Sequence, residues 1–280
     1  MDPAPHWKKY VAQVRDFDAV LEYAKAVSTS LIGTVPAHKH IRYGEQIFVK
    51  LLGHCVTLRR IAPDATRRTG RELWDAPSMS SLARCVIEAH DAFTYIALGH
   101  MTSTERDFRL QLWELHSKNR RAKMLRAIGS VDPRLSTIEA EEKILQNAIT
   151  GSSFFTSISA NVKQKILGGD PPPFHLTQRE RCAMADVNFD YYNVVTMHLS
   201  QNVHTHPLSI QQLLAFRAGD ADALAMMSLP LDYALPFLAR VTHEMRNMFP
   251  KKVASPPSRT ASKMLLWRTI SAHGVKGKAP

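Results

Sequence analysis

The sequence predicts an all-α protein, namely a single helical bundle of about seven to nine helices with a basic C-terminal tail. Apolar residues recur at three- and four-residue spacing along most of the 280 residues, which is the period of an amphipathic helix. Runs that alternate between apolar and polar residues, as strands do, are nearly absent. Hydrophobic residues make up 45% of the chain, so the bundle can bury a substantial core.

The first half of the chain contains the best-defined helices. The first two cover residues 7–32 and 38–61, since their apolar stripes stop at "GTVP" and "APD". The third begins near Ser78 or Ser80, because either hydroxyl can accept a hydrogen bond from a free N–H of the first turn. One apolar stripe runs along this third helix: Leu82, Val86, Ala89, Phe93 and Ile96.

Two capping boxes predict helix starts in the second half. Ser136 pairs with Glu139, and Thr177 pairs with Glu180 at the same spacing. In each box the hydroxyl and the carboxylate satisfy free N–H groups of the first turn. The helix that starts near Thr177 is expected to continue or restart at Asn188 and to end at "HTHP".

The end of the chain supplies the domain boundaries. A last helix is expected over residues 235–249, because Pro236 suits a first turn, where a missing N–H costs little. We therefore predict residues 1–34 as an N-terminal helix packing on the bundle and residues 35–250 as the helical domain. Residues 251–280 are predicted to be a flexible basic tail.

The charge of the chain favours a polyanionic partner. The net charge is +11, and the last thirty residues carry seven positive side chains and no acid. Two further basic clusters lie in an arginine-rich connection and at the end of the fourth helix. A favourable interaction with the negative end of the helix dipole explains the second cluster equally well. The candidate residues for binding RNA or another polyanion are Arg67, Arg68, Arg71, Lys118, Arg120 and Arg121.

Several classes of function are not indicated. The motifs GxxxxGK, GxGxxG, GxSxG and HExxH are missing, so nothing predicts a nucleotide or another cofactor. The cysteines, Cys55, Cys85 and Cys182, lie far apart, so neither a disulfide framework nor a zinc site is expected. The N-terminus has no apolar signal region, and no run of 18 apolar residues occurs. We expect a soluble cytoplasmic protein without metal or membrane contact, and the sequence leaves a homodimer open.

The stretch "HLSQNVHTHP", residues 198–207, contains three histidines and allows a metal site, a catalytic site or a helix end. His198 and His204 point about 120° apart on a helix, so their imidazoles diverge. Pro207 disfavours helical conformation at the residue before it. The pattern therefore favours a helix end, although Ser200 and His204 share one face and remain candidate functional residues.

A second set of polar side chains lies on the third helix. Arg84, Glu88, Asp91 and Tyr95 form one stripe opposite the apolar one. This stripe is either a solvated face with an ion pair or an internal polar network. In the second case we expect Arg84 and Glu88 to meet His204 and Ser200 in a buried layer between the two helices.

Two segments carry a resemblance to known proteins. The runs "WDAPSMSSLARCVIEAHDAFTYI" and "YYNVVTMHLSQNVH" resemble the signatures of an uncharacterised bacterial all-helical family of the domain-of-unknown-function kind. The resemblance covers about residues 35–248 in the order of elements. It implies that five residues occupy the recurring polar positions of that family, for which no activity is established: Asp75, Arg84, Glu88, Ser200 and His204.

The architecture is also similar to HEPN-type helical bundles, whose nuclease members use an arginine followed, after four to six residues, by a histidine. "RCVIEAH", from Arg84 to His90, fits that spacing, although Cys85 stands where a polar residue is usual. The resemblance implies a helical interaction or nucleic-acid-associated module without demonstrable catalysis. The alternative that it implies is a metal-independent endoribonuclease of toxin or defence type that uses Arg84 with His90 or His204.

Overall fold

The computed structural model describes residues 4–64, 74–98, 101–215 and 218–274. Within these ranges the chain forms eleven α-helices and one short 3-10 helix at Ser153–Ser157, and it contains no strand. The all-α prediction is confirmed. The α-helices are, in chain order, α1 (Ala4–Ser30), α2 (Lys39–Ile61), α3 (Ala76–Ala97), α4 (Ser103–Ala127), α5 (Arg134–Thr150), α6 (Ala160–Leu167), α7 (Gln178–Met184), α8 (Phe189–Val203), α9 (Pro207–Ala215), α10 (Ala221–Met248) and α11 (Ser258–His273).

The described helices outnumber those predicted because several are short. α6, α7 and α9 contain eight, seven and nine residues. A helix of about two turns repeats its apolar positions too few times to show a period in the sequence. The long helices are therefore recognisable from the sequence, whereas the short ones are not.

The chain divides into two compact units. The first unit consists of Met1–Thr94 with Cys182–Pro280, and the second unit is Tyr95–Arg181. This division differs from the single bundle, with boundaries at residues 34 and 250, that the sequence suggested. Both boundaries of the second unit fall within helices, α3 and α7, so no linker composition marks them in the sequence.

α10 forms the centre of the first unit, and α1, α2 and α11 pack against it. Pro230 and Pro236 lie inside α10, where each removes a backbone hydrogen bond at a cost of about 3 kcal/mol in an ordinary helix. Both prolines and most of their neighbours are buried. Burial of each large apolar side chain contributes about 1.5–3 kcal/mol, which offsets the loss. The predicted start near residue 235 was therefore wrong, and the helix begins at Ala221.

By length and composition alone, α10 is also the described helix that could cross a membrane. However, 72% of its most apolar window is buried inside the protein. This burial is typical of the core helix of a soluble protein.

α1 and α2 contact each other and α10. The hydroxyl of Tyr10 donates a hydrogen bond of 2.7 Å to the carbonyl of Pro63, just after α2. Arg59 of α2 binds the carboxylate of Asp18 on α1 through contacts of 2.7 and 3.3 Å. α1 supplies a buried stripe at helical spacing: Trp7, Tyr10, Val14, Phe17, Leu21, Ala24 and Val27.

The C-terminal segment contains a packed helix, α11, in contact with α10 and α1. Thr260, Met264 and Ser271 are buried, and Lys263 forms an ion pair with Asp16 of α1. This arrangement differs from the flexible tail that the composition suggested. The proline- and serine-rich residues precede the helix. The composition of the whole segment therefore does not indicate the buried positions within α11.

Arg240 of α10 connects α11 with the end of α7. Its guanidinium donates to the hydroxyl of Ser271 at 2.7 Å and to the carbonyl of Arg268 at 3.0 Å. It also donates to the carbonyls of Ala185 and Asp186 at 2.8 and 2.7 Å. Arginine suits this position because its planar group carries five donors.

In the second unit, α4 packs on α5. Its apolar core comprises Phe108, Leu112, Leu115, Ile149, Ile158 and Ile166. The capping box of Thr177 and Glu180 is confirmed, with the Thr177 N–H 2.7 Å from the carboxylate and the Glu180 N–H 3.3 Å from the hydroxyl. The box predicted for Ser136 is wrong, because α5 already begins at Arg134 and Glu139 binds Arg126 instead.

Candidate nucleic-acid interface

The polar stripe of α3 is divided between solvent and core. At its N-terminal half, Arg84 and Glu88 form an ion pair of 2.9 Å, and the Glu88 side chain is 59% exposed. This half matches the solvated-face interpretation. The first turn is capped by Asp75 rather than by a serine, because its carboxylate accepts the N–H of Ser78 at 2.9 Å.

Further along α3, Asp91 is buried and joins α3 to α8. Its carboxylate accepts a hydrogen bond of 2.7 Å from the hydroxyl of Tyr192. Burial and the neighbouring Asp91 carboxylate raise the pKa of Tyr192, so the phenol stays protonated. The expected polar contact between these two helices therefore exists, but Asp91 and Tyr192 form it in place of Glu88 and His204.

Ser200 and His204 lie at the other end of α8. His204 is the C-cap residue, is exposed, and stacks on His206 with ring centroids 5.5 Å apart. Ser200 is half-buried. Among the described residues, neither side chain forms a hydrogen bond or an ion pair with Arg84 or Glu88. The geometry agrees with histidines at a helix end.

His90 is enclosed by the first unit and only 3% exposed. Its Nδ1 lies 3.4 Å from the carboxylate of Asp91 and its Nε2 lies 3.5 Å from the hydroxyl of Thr94. The ring of Phe237 covers it, with centroids 5.0 Å apart. Arg84 and His90 therefore do not share a solvent-facing groove.

The basic end of α4 is bound to acids within the second unit. Lys118 pairs with Glu141, and Arg120 lies 3.3 Å from Asp170. Arg121 is exposed. The other predicted binding residues, Arg67, Arg68 and Arg71, lie outside the described residues. Because ion pairing already neutralises most of this cluster, it attracts a polyanion less than its sequence suggested.

The exposed side of α2 carries a stripe that the sequence analysis did not identify. Its charged members are all basic, and Arg42, Lys50 and Arg60 form no ion pair with any described residue. From Arg42 to Arg60 the stripe extends about 27 Å along the helix. We define the α2 basic stripe as the exposed positions Lys39, Arg42, Gln46, Val49, Lys50, Gly53, Thr57 and Arg60.

The acids near the α2 basic stripe lie at its margins. Glu45 is half-buried on the same helix, and burial raises its pKa. Asp18 on α1 is engaged by Arg59. A polar cavity of about 390 Å³ at the end of the stripe is lined by Arg60 together with three acids, Asp18, Glu22 and Asp64. The middle of the stripe, around Lys50, faces solvent.

Gly53 lies in the middle of the stripe and is not required by packing. A Cβ atom at this position would meet no atom within 4 Å. A glycine inside a helix costs about 1 kcal/mol relative to alanine, so its presence on an open face needs a reason. Glycine permits a ligand to approach the backbone closely.

The second unit contains a buried polar pair that the sequence did not indicate. The hydroxyl of Tyr95 lies 2.8 Å from Nδ1 of His175, and Arg109 donates to the Tyr95 carbonyl at 3.1 Å. Burial, followed by the positive charge of Arg109, lowers the pKa of His175 to about 4. His175 follows three prolines in an irregular segment, where no periodicity could assign it a partner.

A second buried titratable group lies between α1 and α10. Gln13 donates a hydrogen bond of 2.5 Å to the carboxyl group of Asp232. Burial raises the pKa of Asp232 to about 7, although Lys9 and the hydrogen bond from Gln13 act in the opposite direction.

Within the described ranges, no three His, Cys, Asp or Glu side chains are grouped closely enough to hold a metal ion.

Comparison with protein-family models, curated proteins and solved structures gave no match to this chain. The similarity to HEPN-type bundles and to the bacterial helical family therefore stays a prediction from short motifs.

Proposed function

We propose that this protein is a cytoplasmic helical interaction module that associates with RNA or a similar polyanion through the α2 basic stripe. The observation that carries the proposal is the acid-free row of exposed cations, of which Arg42, Lys50 and Arg60 lack an ion-pair partner among the described residues. Unpaired cations in a row attract phosphates because binding releases condensed counterions.

The chemistry of the stripe favours recognition of the backbone rather than of bases. Between its cations lie a glutamine, a valine, a glycine and a threonine, and none of the eight positions of the stripe is aromatic. Affinity should therefore depend on phosphate contacts and vary little with sequence. No cofactor or catalytic group is needed for this role.

The test is a titration of a fluorescein-labelled single-stranded RNA of mixed sequence, followed by anisotropy at several salt concentrations. The double variant Arg42→Gln with Lys50→Gln should bind more weakly than the wild type. Its log–log salt dependence should be shallower by about 0.7 for each lost phosphate contact.

The matched control is the double variant Lys118→Gln with Arg120→Gln, which removes the same formal charge from ion-paired positions on α4. We expect this control to retain most of the affinity. Equal losses in the two variants would mean that net charge alone governs binding. Binding that does not weaken with salt would contradict the electrostatic basis of the proposal.

The endoribonuclease alternative stays a prediction with no described contact in its favour. His90 is buried, so that alternative depends on Arg84 with the exposed His204. Incubation of the purified protein with total RNA, beside an Arg84→Ala control, tests it directly. Cleavage that disappears in the Arg84→Ala variant would replace the module proposal by a nuclease.

A further inference from the structure

α9 exposes apolar side chains in a stretch of the sequence that carries no formal charge. Residues 191–216 contain no Asp, Glu, Lys or Arg, although such residues make up 22% of the chain. Exposed apolar residues are ordinary when scattered singly and informative when they cluster. Seven of the 17 large apolar side chains described as exposed lie in this stretch: Val194, Met197, Val203, Leu208, Ile210, Leu213 and Leu214.

Three of these residues form a face on α9. Ile210, Leu213 and Leu214 follow one another at helical spacing and are 44%, 41% and 83% exposed. Ser209, one residue before Ile210 and one turn before Leu213, is only 3% exposed, so α9 is held against the unit along that side. Leu214 therefore points away from the unit that carries α9, and Ile210 and Leu213 lie at the edge of the buried side.

The charge distribution of the chain indicates which partner fits this face. Two copies of a protein with a net charge of +11 repel each other wherever charged surfaces meet. The α9 face avoids this repulsion because neither sign of charge is present. A surface on a two-fold axis meets its own copy, so an uncharged apolar face is complementary to itself.

Other partners fit the face less well. Helices that lie on anionic membranes carry lysines and arginines beside the apolar face, and this stretch has none. Depletion of charged residues is instead a property of the central part of protein interfaces.

We propose that the face formed by Ile210, Leu213 and Leu214 is the contact surface of a homodimer, in which α9 of one copy packs against α9 of a second copy. This inference is independent of the proposed polyanion binding, since it concerns a different helix and no cation.

The test uses sedimentation equilibrium of the full chain at concentrations of about 1 to 100 µM. The variant Leu214→Lys places like charges opposite each other, and its dimer dissociation constant should rise by about tenfold or more. Leu265→Lys is the matched control, because Leu265 is 62% exposed on α11 and lies outside the uncharged stretch. We expect this control to dimerise like the wild type.

A mixing experiment distinguishes contact between two α9 faces from a general effect of added charge. Leu214→Lys and Leu214→Glu should each dimerise more weakly than the wild type alone and should form a tighter heterodimer when combined. A wild type that stays monomeric at every concentration would overturn the proposal. So would equal dimerisation of all variants, a mixture that fails to pair, or binding of the monomeric wild type to vesicles of zwitterionic lipid through this face.

Discussion

Arg240 is a buried cation whose hydrogen-bond partners are main-chain carbonyls and a hydroxyl. Its closest carboxylate, that of Asp186, lies 3.9 Å away and is 89% exposed. The free energy lost when the guanidinium leaves water is therefore offset mainly by carbonyl dipoles at the ends of helical segments. Burial lowers the pKa of Arg240, but the group remains charged at neutral pH.

Replacement of Arg240 should destabilise the first unit strongly. We expect Arg240→Ala to lower the free energy of unfolding by about 3 kcal/mol or more, because several buried acceptors lose a charged donor at once. Urea denaturation followed by circular dichroism measures the change. Arg268→Ala is the control, since Arg268 contributes its carbonyl to this site and keeps it after the substitution. A loss no larger than that of the control would contradict this account.

The polar side chains of α3 show that helical periodicity predicts the side of a helix but not its burial. Periodicity correctly placed Arg84, Glu88, Asp91 and Tyr95 on one side of α3. It could not tell where neighbouring helices cover that side, because coverage depends on residues distant in the chain. As a result, the sequence left open whether Glu88 lies in the core or in solvent, and it did not indicate that Tyr192 is the partner of Asp91.

Among the helices, α2 combines structural and proposed binding roles on opposite sides. Phe48, Leu51, Cys55 and Leu58 face the core, and the α2 basic stripe faces solvent. Gly53 weakens this helix at a position where a methyl group has room. If phosphates approach the backbone there, the glycine serves binding at the expense of stability.

Gly53→Ala separates these two effects. The substitution should raise the free energy of unfolding by about 1 kcal/mol, because alanine is the better helix former. In the same protein, the affinity for single-stranded RNA should fall, since the methyl group keeps a phosphate away from the helix. Thermal melts and anisotropy titrations measure the two changes, with Gln46→Ala as the control on the same stripe. Tighter RNA binding by Gly53→Ala would show that the backbone is not approached.

The sequence predicted the long helices well and their packing poorly. α1 and α2 agree with their predicted ranges within a few residues, because a long apolar stripe repeats often enough to be recognised. α10 was predicted too short because Pro236 was assigned to a first turn, whereas Pro230 and Pro236 both lie in the buried interior of this helix. The cations of the α2 basic stripe stand at helical spacing in the sequence, but periodicity does not show which of them lack an acidic partner in the fold.

At the scale of the whole molecule, the folding stabilities of the two units should change with pH in opposite directions. In the second unit, the pKa of His175 is lowered to about 4, so its neutral form stabilises the fold above the ordinary histidine range, and this stability is lost as pH falls toward 4. In the first unit, the pKa of Asp232 is raised to about 7. The protonated carboxyl of Asp232 contributes its full stabilisation of the fold below the ordinary pKa range of carboxyl groups. This stabilisation is lost as pH rises through 7.

Hydrogen exchange read by mass spectrometry can follow both units in one sample. Between about pH 7 and pH 4.5, after correction for intrinsic exchange rates, peptides of α4 should lose protection relative to peptides of α10. Asp232→Asn should remove the pH dependence of α10 and leave that of α4 unchanged. Parallel loss in both units of the wild type would contradict the opposed contributions.

The contacts between α1 and the C-terminal helices also determine the order in which this protein can fold during synthesis. Asp16 and Lys263 are 247 positions apart, and Gln13 and Asp232 are 219 apart, whereas Tyr95 and His175 in the second unit are separated by 80. Contacts between distant residues form slowly, because a long loop must close first. α1 leaves the ribosome before α10 and α11, yet its apolar stripe must wait for both of these helices. The second unit, whose residues all emerge before α10 and α11, can fold while α1 is still uncovered, so a helix that is synthesised early is among the last to be buried.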